Sequence, residues 1–154
     1  MANKSKTRGT AFESSVAEFL RIALDQPQIE RRALHGATDM GDVYRIFGQN
    51  GLEGIAECKD HRTVTDSLID RWRAQTLSER DEAHADFGLL VIHRRGKAAK
   101  WSSPSFAENI VQVTIGDLLK LMGMADGMSE WEDINWMWVS MPLRQVCTIL
   151  RGEY

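Results

Sequence analysis

Two carboxylates and a lysine stand at a spacing that can do chemistry. Gly41-Asp42-Val43 is followed by Glu57-Cys58-Lys59, and fourteen residues separate Asp42 from Glu57. Side chains alternate along a strand, so Glu57 and Lys59 project from one face while Ala56 and Cys58 project from the other. A hairpin partner carrying Asp42 at its far end returns that carboxylate to the end of the second strand. Hard divalent cations take oxygen ligands, and Mg2+ holds one or two carboxylates while keeping several waters. Such an ion acidifies water and neutralises charge building on a phosphoryl group, and a nearby lysine orients the nucleophile or stabilises the transition state. The chemistry to expect is metal-dependent phosphodiester hydrolysis. The plain alternative is an ordinary solvated strand end.

The elements that must position these groups are legible in the pattern. Phe12, Val16, Phe19, Leu20, Ala23 and Leu24 make one apolar stripe of a helix that Pro27 ends. Glu13 borders that stripe, either as a surface residue or as a third acid looking over the sheet end. Residues 1–9 are polar and basic and read as a flexible arm, and residues 28–41 read as irregular. A strand over 42–47, the Asn50-Gly51 turn and a return strand over 52–59 form a β-hairpin.

A helix follows from Thr65 to about His84, with Leu68, Trp72, Gln75 and Thr76 on one side and Asp66, Asp70, Arg73 and Arg80 towards water. Ala85 to Gly88 closes it, and Leu89 to His93 reads as a buried strand. A strand over 111–115, a helix over 117–122, a strand over 136–141 and a helix from Pro142 to Leu150 complete the chain, the last pair loosely repeating the one before. This order predicts an α/β domain, a mixed central β-sheet flanked by helices.

The 154 residues are 43% hydrophobic and 27% charged, which excludes disordered and low-complexity classes. No apolar run approaches the ~18 residues of a membrane span, and the N-terminus lacks an apolar signal core, so a soluble, cytoplasmic protein with no membrane partner is expected. Cys58 and Cys147 are too few for a disulfide framework and fit no zinc spacing. The net charge is −3. Lys and Arg number 16 against 15 Asp and Glu over residues 1–100, and 3 against 7 over 101–154.

Basic residues cluster near the site in sequence: Arg8 in the arm, Arg31-Arg32 before it, His61-Arg62 after it, and Arg94-Arg95 with Lys97 beyond the next strand. Loops at one sheet edge can present them to phosphates, the main source of non-specific DNA affinity, and plain solubility is the alternative role. His35 and His61 are candidates for phosphate contact, whereas His93 is expected at the core or its edge. Four of the five tryptophans (Trp101, Trp131, Trp136, Trp138) fall in the C-terminal third. They read as core, as a dimer surface, or as a platform for splayed bases.

The set Arg8-Gly-Thr-Ala-Phe-Glu13 opening a helix, Gly41-Asp42-Val43, Glu57-Cys58-Lys59, then a helix and a buried strand resembles the archaeal-type Holliday junction resolvases and their phage-encoded relatives, within the PD-(D/E)XK nuclease superfamily. The resemblance covers about residues 8–97. It implies a restriction-endonuclease-like core and a homodimer that cuts four-way or branched DNA with Mg2+, Mn2+ being the substitute ion, in the host cytoplasm if phage-encoded. Position by position it makes Glu13 the helix-borne acid, directly or through water, Asp42 and Glu57 the metal carboxylates, Lys59 the catalytic lysine and the Cys58 main-chain carbonyl a further ligand. Gln75 lies where some members place a helper residue. Arg8, Arg31, Arg32, Arg62, Arg94 and Arg95 become the DNA-contacting set.

The expected domains are the arm 1–9, a nuclease domain 10–123 and a C-terminal strand–helix extension 124–154, packed on the core or at a dimer interface. Residues 101–154 lie outside the resemblance. The alternatives are a nuclease of the same fold acting on flaps, ends or single strands, and a non-catalytic DNA-binding or scaffold module.

Overall fold

The computed structural model describes residues 3–33, 40–124 and 132–154. His35 and Trp131, both singled out above, lie outside them.

The first helix, α1, spans Lys4–Leu24, so residues 4–9 of the expected arm are its opening turns, not a flexible segment. Asn3 caps it by accepting the Ser5 amide hydrogen at 3.1 Å. The apolar periodicity starts only at Phe12, which is why the sequence hides the earlier start. Phe12, Val16, Leu20 and Leu24 are buried along one stripe, and Asp25 ends the helix in the left-handed conformation.

The irregular stretch contains a two-residue strand, β1 (Glu30–Arg31), on the edge of β2 (Val43–Phe47). The hairpin is formed as expected: Gly51 turns the chain with φ +80°, and β3 runs Glu53–Lys59. Helix α2 (Asp66–Glu82) starts where Thr65 accepts the Leu68 amide hydrogen at 3.3 Å. The strand β4 begins at Phe87 and ends at Ile92, earlier at both ends than expected. A 3-10 turn at Pro104–Glu108 leads to β5 (Ile110–Thr114), α3 (Ile115–Leu121), β6 (Trp138–Pro142) and α4 (Leu143–Leu150).

The six strands form one sheet in the order β1-β2-β3-β4-β5-β6. Only β3 and β4 run parallel among these neighbours, with α2 as the crossover. The chain is therefore α/β with a mixed six-stranded sheet flanked by helices. The strand–helix pair at the C-terminus is part of that body: β6 pairs antiparallel with β5, and Leu143, Val146, Cys147 and Leu150 of α4 join the main core.

Strand alternation sorts the two layers. Ala56 and Cys58 of β3 and Phe87, Leu89 and Val91 of β4 pack with α1 and α4 in the main core. Leu90 and Ile92 face Trp72 of α2 on the other side. Each fully buried large aliphatic or aromatic side chain stabilises the fold by about 1.5–3 kcal/mol.

Two helical arginines expected in water are bound instead. Arg80 holds Asp117 through both carboxylate oxygens at 3.1 and 3.0 Å, and Arg73 donates to Gln112 at 2.8 Å. Asp117 is 1% exposed and also accepts the Gly88 amide hydrogen, so its charge is compensated inside the fold. Of the tryptophans, Trp72 is core, while Trp136 is 70% exposed.

Candidate active site at the carboxyl end of β3

Gly41 turns the chain into β2 with φ +93°, and a Cβ there would sit 3.2 Å from the Ile55 side chain. That close approach sets Asp42 beside the end of β3. The Asp42 amide donates to the Ala56 carbonyl at 3.0 Å, and Asp42 Oδ2 accepts the Cys58 amide hydrogen at 2.8 Å.

Glu57 and Lys59 project together from the face covered by α2, and Cys58 points into the main core, as alternation requires. Lys59 Nζ pairs with Glu57 Oε1 at 2.5 Å. Gln75 of α2 completes the arrangement: its Oε1 accepts from Lys59 Nζ at 3.0 Å, and its Nε2 donates to Glu57 Oε1 at 3.0 Å and to Glu79 Oε1 at 2.7 Å. One side-chain amide thus fixes the lysine and both acids.

Glu79 is a residue that the reading of the sequence missed. It is 2% exposed, as is Glu57. Its signal was available, because Trp72, Thr76 and Glu79 fall at i, i+4 and i+7, which sets a carboxylate on the buried stripe of α2.

Three carboxyl groups and one ammonium cannot all be charged comfortably in a dry site. Burial, then the Glu57 charge, push Asp42 up to about 8, against the pull of the Cys58 amide, and Glu13 adds to the rise. Burial, then the contact with Glu79, push Glu57 up to about 8 despite Lys59. Two carboxyl groups hydrogen-bond each other only through a proton, so that contact favours a protonated form. Burial pulls Lys59 down, but the Glu57 carboxylate and its hydrogen bond outweigh it, and Lys59 is held above its ordinary value as an ammonium.

Glu13 looks at the site from the α1 layer, on the far side of the sheet from Glu79. Arg31 Nη1 donates to Glu13 Oε2 at 3.2 Å. Glu13, Asp42, Arg31, Arg32 and Lys6 line one cavity of about 380 Å3. Asp42 therefore sits at the edge where the two layers meet. Arg32 packs its guanidinium 4.3 Å from the centre of the Tyr44 ring.

The other expected basic residues gather elsewhere. Arg8, Arg62, Arg94 and Arg95 line a separate cavity beyond β3 and β4. The His61 ring packs against Trp72 at a tilt of 57°, with ring centres 4.9 Å apart, and His93 bonds Asp60 through Nδ1 at 2.8 Å.

The donor set fits a hard divalent cation. Glu57 Oε2 is buried and meets no N–H donor among the described residues, and Asp42 and Glu57 each feel a neighbouring carboxyl group, Glu57 and Glu79 in turn. No group of three or more His, Cys, Asp and Glu side chains among the described residues is arranged to hold a metal alone. Two carboxylates with water in the remaining positions is the habit of Mg2+. Both cysteines are free and buried, and burial pushes Cys147 up to about 12, so neither offers a thiolate. No helix among the described residues is long and apolar enough to cross a membrane. No protein-family model, curated protein or solved structure matches the chain.

Proposed function

We propose that the chain is a Mg2+-dependent endodeoxyribonuclease with a restriction-endonuclease-like core, acting on branched DNA as a homodimer. The observation that carries this reading is the convergence of Asp42, Glu57 and Lys59 at one end of β3, where burial and neighbouring carboxyl groups push both acids up to about 8.

Asp42 and Glu57 would hold the cation, with Glu13 acting through water and the Cys58 carbonyl as a further donor. Mg2+, when bound, supplies positive charge against the scissile phosphate and acidifies water. Lys59, kept as an ammonium, donates to the attacking water and to the developing phosphoryl charge rather than removing a proton. Gln75 keeps that ammonium in place. In-line attack by that water would form a new P–O bond and break the bond to the 3′ oxygen, the water giving up one proton to solvent and the leaving oxygen taking one up, which leaves a 3′ hydroxyl and a 5′ phosphate. Arg31, Arg32 and Lys6, which line the smaller cavity, would receive the phosphate backbone. Two active sites on a two-fold axis would account for symmetric cutting of a junction.

The test is cleavage of a labelled four-way junction, with duplex and flap controls, in Mg2+ and in EDTA, by wild type, Lys59→Ala and Glu57→Ala. Paired metal-dependent nicks confined to the junction and lost in both variants are expected. Equal cutting of flaps would broaden the substrate, Mn2+ in place of Mg2+ would identify the ion, and binding without cutting would leave a non-catalytic DNA-binding module.

A further inference from the structure

A cavity of about 790 Å3 opens beyond the carboxyl ends of the parallel strands β3 and β4. The crevice outside such strand ends is where α/β sheets receive ligands. Segments 61–64 and 93–96, which leave the two strands, form its sides. Ile69, Ile92, Ile110 and the more exposed Val64 are the apolar part of its lining, its floor, and Arg8, Arg62, Arg94 and Arg95 are the cationic part, its rim.

The one carboxylate among the lining residues is already engaged. Asp60 pairs with Arg8 at 3.3 Å through Oδ2 and with His93 Nδ1 at 2.8 Å through Oδ1, and its carbonyl accepts from Arg8 Nη2 at 2.9 Å. The rim is therefore net positive. A free phosphate has no use for an aliphatic floor, and an apolar ligand has no use for the three guanidinium groups that stand beside the Arg8–Asp60 pair. A nucleotide uses both, with its base on the floor and its phosphate among the arginines.

Position ties the cavity to the candidate active site. Asp60 directly follows Lys59, and Arg8 precedes Glu13 on α1. We infer that this cavity receives one unstacked nucleotide of a DNA bound at the Asp42–Glu57–Lys59 site, an inference that rests on the nuclease reading for its substrate. Taking a base out of the stack costs least where the stack is already interrupted, at a branch point or mismatch. The cavity then selects branched DNA over continuous duplex without reading any sequence.

The experiment places 2-aminopurine at the branch point of a four-way junction and at the same position of a matched duplex. The whole protein is added in EDTA, at concentrations that saturate each variant. Wild type is expected to raise junction fluorescence by about threefold or more while leaving the duplex unchanged. Val64→Glu puts a carboxylate on the floor at a residue that is 40% exposed, so folding tolerates it. It should abolish the rise at saturation, and Arg95→Glu on the rim should weaken it independently.

Saturated wild-type complex without a rise, or an undiminished rise in both variants, overturns the cavity inference. Cleavage in Mg2+ without a rise leaves the nuclease reading standing alone. A rise without cleavage leaves the cavity standing and removes the nuclease. Failure to bind any DNA removes both.

Discussion

Asp42 Oδ2 accepts the amide hydrogen of Cys58, the residue between Glu57 and Lys59, at 2.8 Å. This bond locks the start of one strand to the end of the next and fixes one acid against the other. Asp42→Asn keeps an acceptor for that amide and removes the charge. It should fold normally and lose cleavage by about 100-fold or more. Asp42→Ala also strands the amide and should cost about 1–3 kcal/mol in urea unfolding. Wild-type cleavage by the asparagine variant would remove Asp42 from the active site.

Gln75 touches Lys59, Glu57 and Glu79 at once, which makes it a positioning residue. Gln75→Ala should lower kcat by about 10- to 100-fold with KM little changed. Single-turnover kinetics at saturating DNA would read the effect directly, and an unchanged rate would mean that Lys59 needs no holder.

Stability should depend on pH in an unusual direction. Asp42 and Glu57 are both pushed up to about 8, above the ordinary carboxyl range. Folded protein then keeps protons that the unfolded chain has released, so their contribution is full below about pH 4 and is lost as pH rises through about 8. In EDTA, Tm should fall between pH 5 and 9. Glu57→Gln should flatten that fall, and Mg2+ should restore Tm at the alkaline end by binding the ionised pair. A Tm that climbs with pH in EDTA would contradict the buried acid surplus.

Gly54 on β3 faces the Phe87 ring, and a Cβ there would overlap it. Gly54→Ala should destabilise by about 1–3 kcal/mol through overpacking, measured by urea unfolding. Gly51→Ala, in open space but with φ +80°, should cost about 1 kcal/mol. A larger cost at Gly51 than at Gly54 would mean that backbone strain outweighs the Phe87 clash.

Local pattern made much of the fold legible. The stripe from Phe12 to Leu24, the Asn50-Gly51 turn and the apolar run of β4 each carry their own signal, and each element stands close to its expected place. Alternation in β3 also placed Glu57 and Lys59 on one face, because a strand needs no tertiary information to alternate. Local pattern fails where a long-range partner decides. The edge strand β1 exists because β2 lies beside it, whereas the polar start of α1 has a local signal, the Asn3 cap, that apolar periodicity does not report.

The site depended most on tertiary structure at one point. In β2, Phe47 pairs with Glu53 and Ile46 with Gly54, but Val43 pairs with Ala56, so one extra residue bulges out near Arg45, whose φ is +61°. An unbroken register would oppose Val43 to Glu57 and Asp42 to Cys58, on the core face. The bulge turns Val43 into the core and brings Asp42 opposite Glu57, and a slip of one residue reverses every facing. The sequence by itself determined which groups could do the chemistry and which strand carries them. The bulge was settled by the register of β2 against β3, and the Gln75 bridge and the burial of Glu79 by packing between layers, because each requires two segments to meet.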